Sequence, residues 1–412
     1  MHLFVLFSAL ISLAALFSYV NFKIFKLPSG ISLMMMGAVV SMLLLAIGPA
    51  NLPFTESIKQ ELAHLNFSEF ILGILLSFLL FAGSLQVDYN DVKLHAKSIL
   101  SFASVSTILS TFLIGIVAYF VFMLCGLAVP LGICLLFGAL ISPTDPIAVI
   151  GILKNAGLSK SIQIKITGES LLNDGIGVVL FITILHAVDS AAGHLNISSV
   201  LLLFCREALG GVAMGLIIGY TGFLLTRSID HFQTEILISI AMVMGGYSLC
   251  HYLGVSGPLS MVVAGLITGN QGKELAMSDT TRDYLLKFWE VINEILNAIL
   301  FMLIGLEIIF ISFQFKYISI GLILAVLLIA IRYVSLWVPS ALFRLETTLE
   351  DRALRIMTWG GLRGGISAAL ALSLPNDPYK NILVSVTFVI IIFSVVVQGV
   401  SIKRLVRHQA MR

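Results

Sequence analysis

The chain has 412 residues, of which 58% are hydrophobic and only 11% charged, against roughly a quarter charged in a soluble domain. Its 24 basic and 22 acidic residues leave a net charge of +2. The basic residues are scattered, which excludes the dense positive footprint that nucleic acid requires.

A bilayer core about 30 Å thick takes about 20 apolar residues as helix, and a backbone without water must satisfy its own hydrogen bonds. Thirteen such segments fit. They run approximately over Leu3–Val20, Pro28–Gly48, Asn66–Leu85, Ser98–Leu124, Ala128–Ile152, Ile166–Ala187, Ile197–Leu225, Phe232–Tyr252, Ser256–Gly269, Phe288–Ser312, Ile318–Phe343, Ala353–Leu374 and Asn381–Ser401. The first lacks a basic lead and an A-x-A cleavage site, so it reads as a retained helix and not as a signal peptide. The predicted class is an all-α integral membrane protein, one membrane domain ending in a short basic tail over 402–412.

Lys and Arg accumulate in cytoplasmic loops. With the N-terminus outside, eighteen of them fall on the cytoplasmic side, three (Lys59, Lys316, Lys380) outside, and three (Arg206, Arg332, Arg363) within apolar segments. The C-terminus is then cytoplasmic. The four cysteines, Cys125, Cys134, Cys205 and Cys250, lie in or beside apolar runs with no CxxC pair and read as small buried hydrophobes.

Charge at mid-bilayer costs at least about 2.5 to 3.5 kcal/mol on insertion scales, so intramembrane charges mark candidate sites. Three clusters stand out. In Ser142-Pro143-Thr144-Asp145-Pro146, the prolines remove backbone donors and free carbonyls near a carboxylate, the kind of unwound, oxygen-rich stretch in which transporters hold small cations. In Gly168-Glu169-Ser170-Leu171-Leu172-Asn173-Asp174-Gly175, Ser170 sits one turn from Asp174, and Glu169 one turn from Asn173. Hard cations prefer oxygen ligands, and a carboxylate poor in water can take either H⁺ or Na⁺. In Trp359-Gly360-Gly361-Leu362-Arg363-Gly364-Gly365-Ile366-Ser367, the glycines permit a broken helix, and Arg363 brings a permanent charge for which Glu169 is the expected partner. The first and third clusters lie seven helices apart, hence in opposite orientation, as inverted repeats require. Bland alternatives are a proline kink capped by Asp145, hydrogen-bond glue between helices, and an Arg363 that snorkels to the interface.

Of the remaining charges, Arg206, Glu207, Glu307 and Arg332 read as structural. Glu290 and Glu294, with Asn293 and Asn297 beside them, either line a cytoplasmic funnel or solvate a helix entrance. His186 and His251 fall near helix ends, where an interfacial role is commoner than pH sensing.

These clusters carry a resemblance. SPTDPIAV (142–149), GESLLNDG (168–175), SGPLSMVVAGLITGN (256–270), NEILNAILFMLIGL (293–306) and WGGLRGGIS (359–367) are similar to the motifs of the first monovalent cation:proton antiporter family, the NhaP and NHE type, over nearly the whole chain. The resemblance implies two inverted repeats (1–187 and 232–401, joined by a linker helix over 188–231) with crossed broken helices in a core domain, a dimerisation domain, a homodimer and elevator-like movement. It also implies that Asp145, Ser170 and Asp174 ligate Na⁺ with the Thr144 carbonyl, that Asn173 steadies the crossing, and that Glu169 pairs with Arg363. By the same resemblance, an Asn ahead of the titrating Asp implies electroneutral exchange of one Na⁺, or Li⁺, for one H⁺, with no cofactor. Apolar helices, a very short basic C-terminus and the absence of sorting motifs point to the inner or plasma membrane of a bacterium or archaeon. A K⁺/H⁺ antiporter of the same fold and a passive cation channel are the rival readings. For an enzyme the sequence offers no HExxH, GxSxG, P-loop or dinucleotide fingerprint.

Overall fold

A computed structural model describes residues 2–27, 29–47, 73, 75–145, 160–189, 197–272, 277–306, 314–343, 351–375, 377–402 and 404–405. Among these the chain is helical almost throughout, and its one β feature is an isolated bridge between Asp145 and Leu362. In chain order the helices are α1 (His2–Val20), α2 (Ser29–Ile47), α3 (Leu76–Leu85), α4 (Tyr89–Ser101), α5 (Thr107–Leu124), α6 (Leu131–Ile141), α7 (Lys160–Asp189), α8 (Ile197–Arg227), α9 (Phe232–Leu253), α10 (Gly257–Ile267), α11 (Asp279–Leu306), α12 (Phe315–Leu342), α13 (Asp351–Gly360), α14 (Gly365–Leu372) and α15 (Lys380–Phe393). A π turn, Phe102–Ser106, joins α4 to α5, and others extend α1, α10 and α15. Eight of the described helical stretches are long and apolar enough to cross a membrane. The protein is therefore a multi-pass, all-α membrane protein.

Each of the thirteen predicted segments contains helix, but three helices begin earlier than hydropathy places them. Asp88 starts α4 nine residues ahead of an apolar run, its carboxylate accepting from the backbone N–H of Asn90 at 2.8 Å and of Asp91 at 3.4 Å. The polar turns gained this way carry an ion pair at 2.7 Å between Asp91 and Lys160, the first residue of α7. Ser278, held by Asp230 at 2.8 Å, caps α11 in the same manner. Polar helical turns beyond the hydrocarbon are invisible to a hydropathy window, which accounts for all three. The division after the eighth segment is real: α9 ends on Gly254 in the left-handed region (φ 64°), and Ser256 caps α10. The early part of the third segment, the second half of the fifth (146–152) and Glu307 lie outside the described residues.

Three apolar clusters hold the bundle. One joins α1, α2, α11 and α13 to α15; a second joins α5, α6, α7, α12 and α15; the third packs α3, α8, α9 and α10 around the fully buried Trp289 of α11. Trp289 donates its indole N–H to Ser239 at 3.0 Å, so the large ring is buried without an unmet donor. Close backbone approach positions α2 on α11, where Gly37 faces Gly305 and the Ser41 hydroxyl donates to the carbonyls of Gly305 and Leu306 at 3.0 and 2.9 Å.

Candidate functional site

Two interrupted helices meet in the middle of the bundle. The first, α6, ends at Ile141 and unwinds over Ser142 to Asp145; the second is interrupted between α13 and α14, over Gly361 to Gly364. They cross in antiparallel sense, the backbone N–H of Asp145 donating to the carbonyl of Leu362 at 2.8 Å. Glycine is required at this crossing: a methyl group at Gly364 would lie 2.6 Å from an Asp145 carboxylate oxygen, and one at Gly361 would lie 3.0 Å from Nε of Arg332 and 3.2 Å from the Thr144 methyl.

Unwinding leaves carbonyls without helical partners. Those of Ser142 and Pro143 each accept a hydrogen bond from Arg363 at 3.1 Å, and Arg363 is itself held through its backbone N–H by Ser394 at 3.0 Å. The two half-helix ends are thus compensated by opposite charges. The guanidinium closes the negative, C-terminal end of α6, while the Asp145 carboxylate lies beside the N-terminal end of α14.

Helix α7 crosses alongside this junction, and Gly177 lies against the ring of Pro143 so closely that no side chain fits between them. Four residues of the second cluster are buried on α7: Glu169, Ser170, Asn173 and Asp174. Asn173 donates its side-chain amide to the Thr144 hydroxyl at 2.9 Å and, at 3.5 Å, to Glu169, so it ties α7 to the break in α6. Asp174 lies within electrostatic range of Asp145 and Glu169, and its Oδ1 is buried with no hydrogen-bond partner. Ser170 is buried one turn before it. The structure therefore brings six of the seven residues that the sequence nominates to one crossing, and buries the seventh, Ser170, on the same helix as Asp174. Among the described residues no three His, Cys, Asp or Glu side chains are arranged to hold a metal ion between them.

One expected contact is different. Glu169 pairs with Arg332 of α12, at 2.5 Å and with both side chains 2% exposed, and not with Arg363, which is committed to the α6 carbonyls. Arg332 also donates to the Thr144 hydroxyl at 3.4 Å. The sequence reading missed Arg332 because it stands in an otherwise apolar segment with no motif around it. The available signal was its mid-helix charge, which needs a buried counter-charge as much as that of Arg363 does. Beside this pair, Arg332, Thr358, Gly361, Arg363, Ser394 and Gln398 line a cavity of about 10 Å³, room for about one water.

Of the charges set aside as structural, Arg206 caps α9 by donating to the carbonyl of Leu253 at 2.8 Å, away from the crossing. Glu290 and Glu294 lie exposed near the middle of α11.

The family model of the sodium/hydrogen exchanger, transmembrane, matches residues 10–408. The chain belongs to this family. It is 42% identical over 406 residues to the Na⁺/H⁺ antiporter NhaP of Pseudomonas aeruginosa, covering 97% of this chain and 96% of that protein. It is 33% identical to the Na⁺/H⁺ antiporter NhaH of Halobacillus dabanensis, over 94% of each. Among solved structures, the sodium proton antiporter MjNhaP1 of Methanocaldococcus jannaschii superposes with a TM-score of 0.78 at 20% identity, covering 98% of this chain and 99% of that one. At that identity the match establishes a shared fold.

Proposed function

We propose that the protein is a secondary antiporter exchanging Na⁺ for H⁺, with Asp174 and Asp145 as the carboxyl groups for which the two ions compete. The observation that carries this reading is the unequal treatment of the acids around one crossing: Glu169 is neutralised by Arg332, whereas Asp174 keeps a buried oxygen free of any protein partner. A carboxyl group out of bulk water is costly as a bare anion, so it is stable when loaded by a proton or by a metal ion. Na⁺ would take oxygens from Asp174, Asp145, Ser170 and the Thr144 carbonyl, while Asn173 and Arg363 hold the break in shape. Arrival of Na⁺ displaces the proton from Asp174, and the return stroke reverses this.

Asn173, and not a second Asp, directly before Asp174 supports one-for-one, electroneutral exchange. Membership of an exchanger family supports transport over enzymatic chemistry, with no cofactor needed. The surplus of Lys and Arg on one side supports a cell-membrane location with the N-terminus outside and the C-terminus cytoplasmic. The apolar faces exposed by α8 and α9, with Leu201, Leu202, Leu237 and Met244 among them, support a surface that meets lipid or a second copy in a homodimer, and the antiparallel meeting of the two interrupted helices supports inverted repeats.

The test is proton movement in proteoliposomes carrying a pH-quenched dye, with Na⁺, Li⁺ or K⁺ added in turn. Na⁺ and Li⁺ should release the quench at a rate and ratio unaffected by an imposed membrane potential. Response to K⁺ alone would give the rival cation reading, and cation flux without any proton gradient or proton movement would make the protein a channel.

A further inference from the structure

Asn297 of α11 is 6% exposed, and both polar atoms of its side chain, Oδ1 and Nδ2, are buried without a hydrogen-bond partner. A buried amide with neither end satisfied costs free energy comparable to lost hydrogen bonds, on the order of 1–3 kcal/mol per group. Leu or Ile would fill the same space at no such cost.

Its position explains what the amide does. Residues at i, i+3, i+4 and i+7 share one helical face, so Glu290, Asn293, Glu294 and Asn297 form one polar stripe. Burial increases along it: Glu290 and Glu294 are exposed, Asn293 is half-buried and Asn297 is buried. Immediately beyond, the stripe is closed by two apolar side chains, Phe301 and Leu300. Phe301 lies against Gly30 of α2, where a methyl group would come within 2.7 Å of its ring, and Leu300 is packed against Gly365, the first residue of α14. Gly365 adjoins Gly364, on which the Asp145 carboxylate rests. The face thus leads from the exposed end of α11 to one side chain's thickness from the crossing, and its last polar group is the unsatisfied amide.

We propose that this face of α11 is a wall of the ion's route to the Asp145/Asp174 centre, that the Asn297 carbonyl oxygen is a transient ligand for the partly dehydrated cation, and that Leu300 on Gly365 is the apolar barrier it then passes. Glu290 and Glu294 raise the local cation concentration at the entrance, and the neutral amide replaces water oxygens without trapping the ion as a third carboxylate would. This inference rests on the exchange reading above and gives Asn297 a role that the three charged clusters of the site do not supply.

Two variants test it in reconstituted proteoliposomes by the concentration of Na⁺ that gives half-maximal proton release. Asn297→Leu removes the ligand and is expected to raise that KM about fivefold, equivalent to about 1 kcal/mol, with the maximal rate little changed. Asn297→Asp, nearly isosteric, is expected to lower KM below that of the unchanged protein. An amide that serves only packing, or that is satisfied by a fixed water, would shift the thermal midpoint and leave both KM values where they were, and that result overturns the proposal. If Asn297→Leu does not fold, an unaltered KM in Asn297→Asp overturns it alone. Failure of the unchanged protein to exchange Na⁺ for H⁺ would instead sink the functional reading beneath it.

Discussion

Two turns of α7 receive opposite treatment. Around Glu169 every charge is answered: Arg332 sits at 2.5 Å and the Asn173 amide at 3.5 Å. Around Asp174, five residues along the same helix, one oxygen has no partner and the nearest charges are other acids. A buried ion pair contributes little net stability, because desolvation offsets most of the attraction, but removing one member strands the other and is costly. On the proposed function, Glu169 is accordingly a fixed part of the scaffold and Asp174 a group whose charge is answered by whatever ion occupies the site. The contrast comes from α12, which delivers Arg332 to the Glu169 turn of α7.

The sharpest way to break this contrast is Asp174→Asn. The amide is nearly isosteric but binds neither a titrating proton nor a cation as a carboxylate does, so exchange should fall to the background of empty vesicles while the protein still purifies with an unchanged helical spectrum. Residual Na⁺-driven proton release would remove Asp174 from its role.

Next in size is the scaffold pair. Arg332→Met leaves Glu169 buried and unpaired and should cost about 3 to 5 kcal/mol, read as a large fall in the thermal midpoint in detergent, whereas Glu169→Leu combined with Arg332→Met should recover most of that loss. Arg363→Met leaves the Glu169 pair intact, so it should not be rescued by Glu169→Leu. A rescue of Arg363→Met in place of Arg332→Met would restore the pairing expected from sequence.

Smallest is the tie between the two regions. Asn173→Ala removes the 2.9 Å bond to Thr144, and hydrogen bonds between membrane helices average about 0.6 kcal/mol with a maximum near 1.7. A loss of that size is expected, visible as a modest drop in melting temperature, with exchange slowed but not abolished.

Much of this arrangement was readable beforehand. The proline at 143, the glycines at 360, 361, 364 and 365, and the acids at 145, 169 and 174 are anomalous in apolar helices, and in the structure they mark a break, a close crossing and a cluster of acids beside it. What the chain order could not convey was which cation answers which anion. Arg363 and Arg332 are both mid-membrane guanidiniums, and only the three-dimensional crossing directs one to carbonyls and the other to Glu169. Asn297 was visible as a polar residue on an amphipathic helix, but its unsatisfied amide becomes apparent only when its neighbours are known. The early starts of α4, α7 and α11 escaped because caps such as Asp88 and Ser278 act on polar turns that hydropathy does not register.

The hydrogen bonds from Arg363 to Ser142 and Pro143 span about 220 residues of chain. At a synthesis rate of roughly 5 to 20 residues per second, the donor emerges about 10 to 40 s after the carbonyls it closes. Until then the carbonyls of Ser142 and Pro143 lack the side chain that closes them in the folded protein, so the break in α6 reaches its final form only after most of the chain has been made.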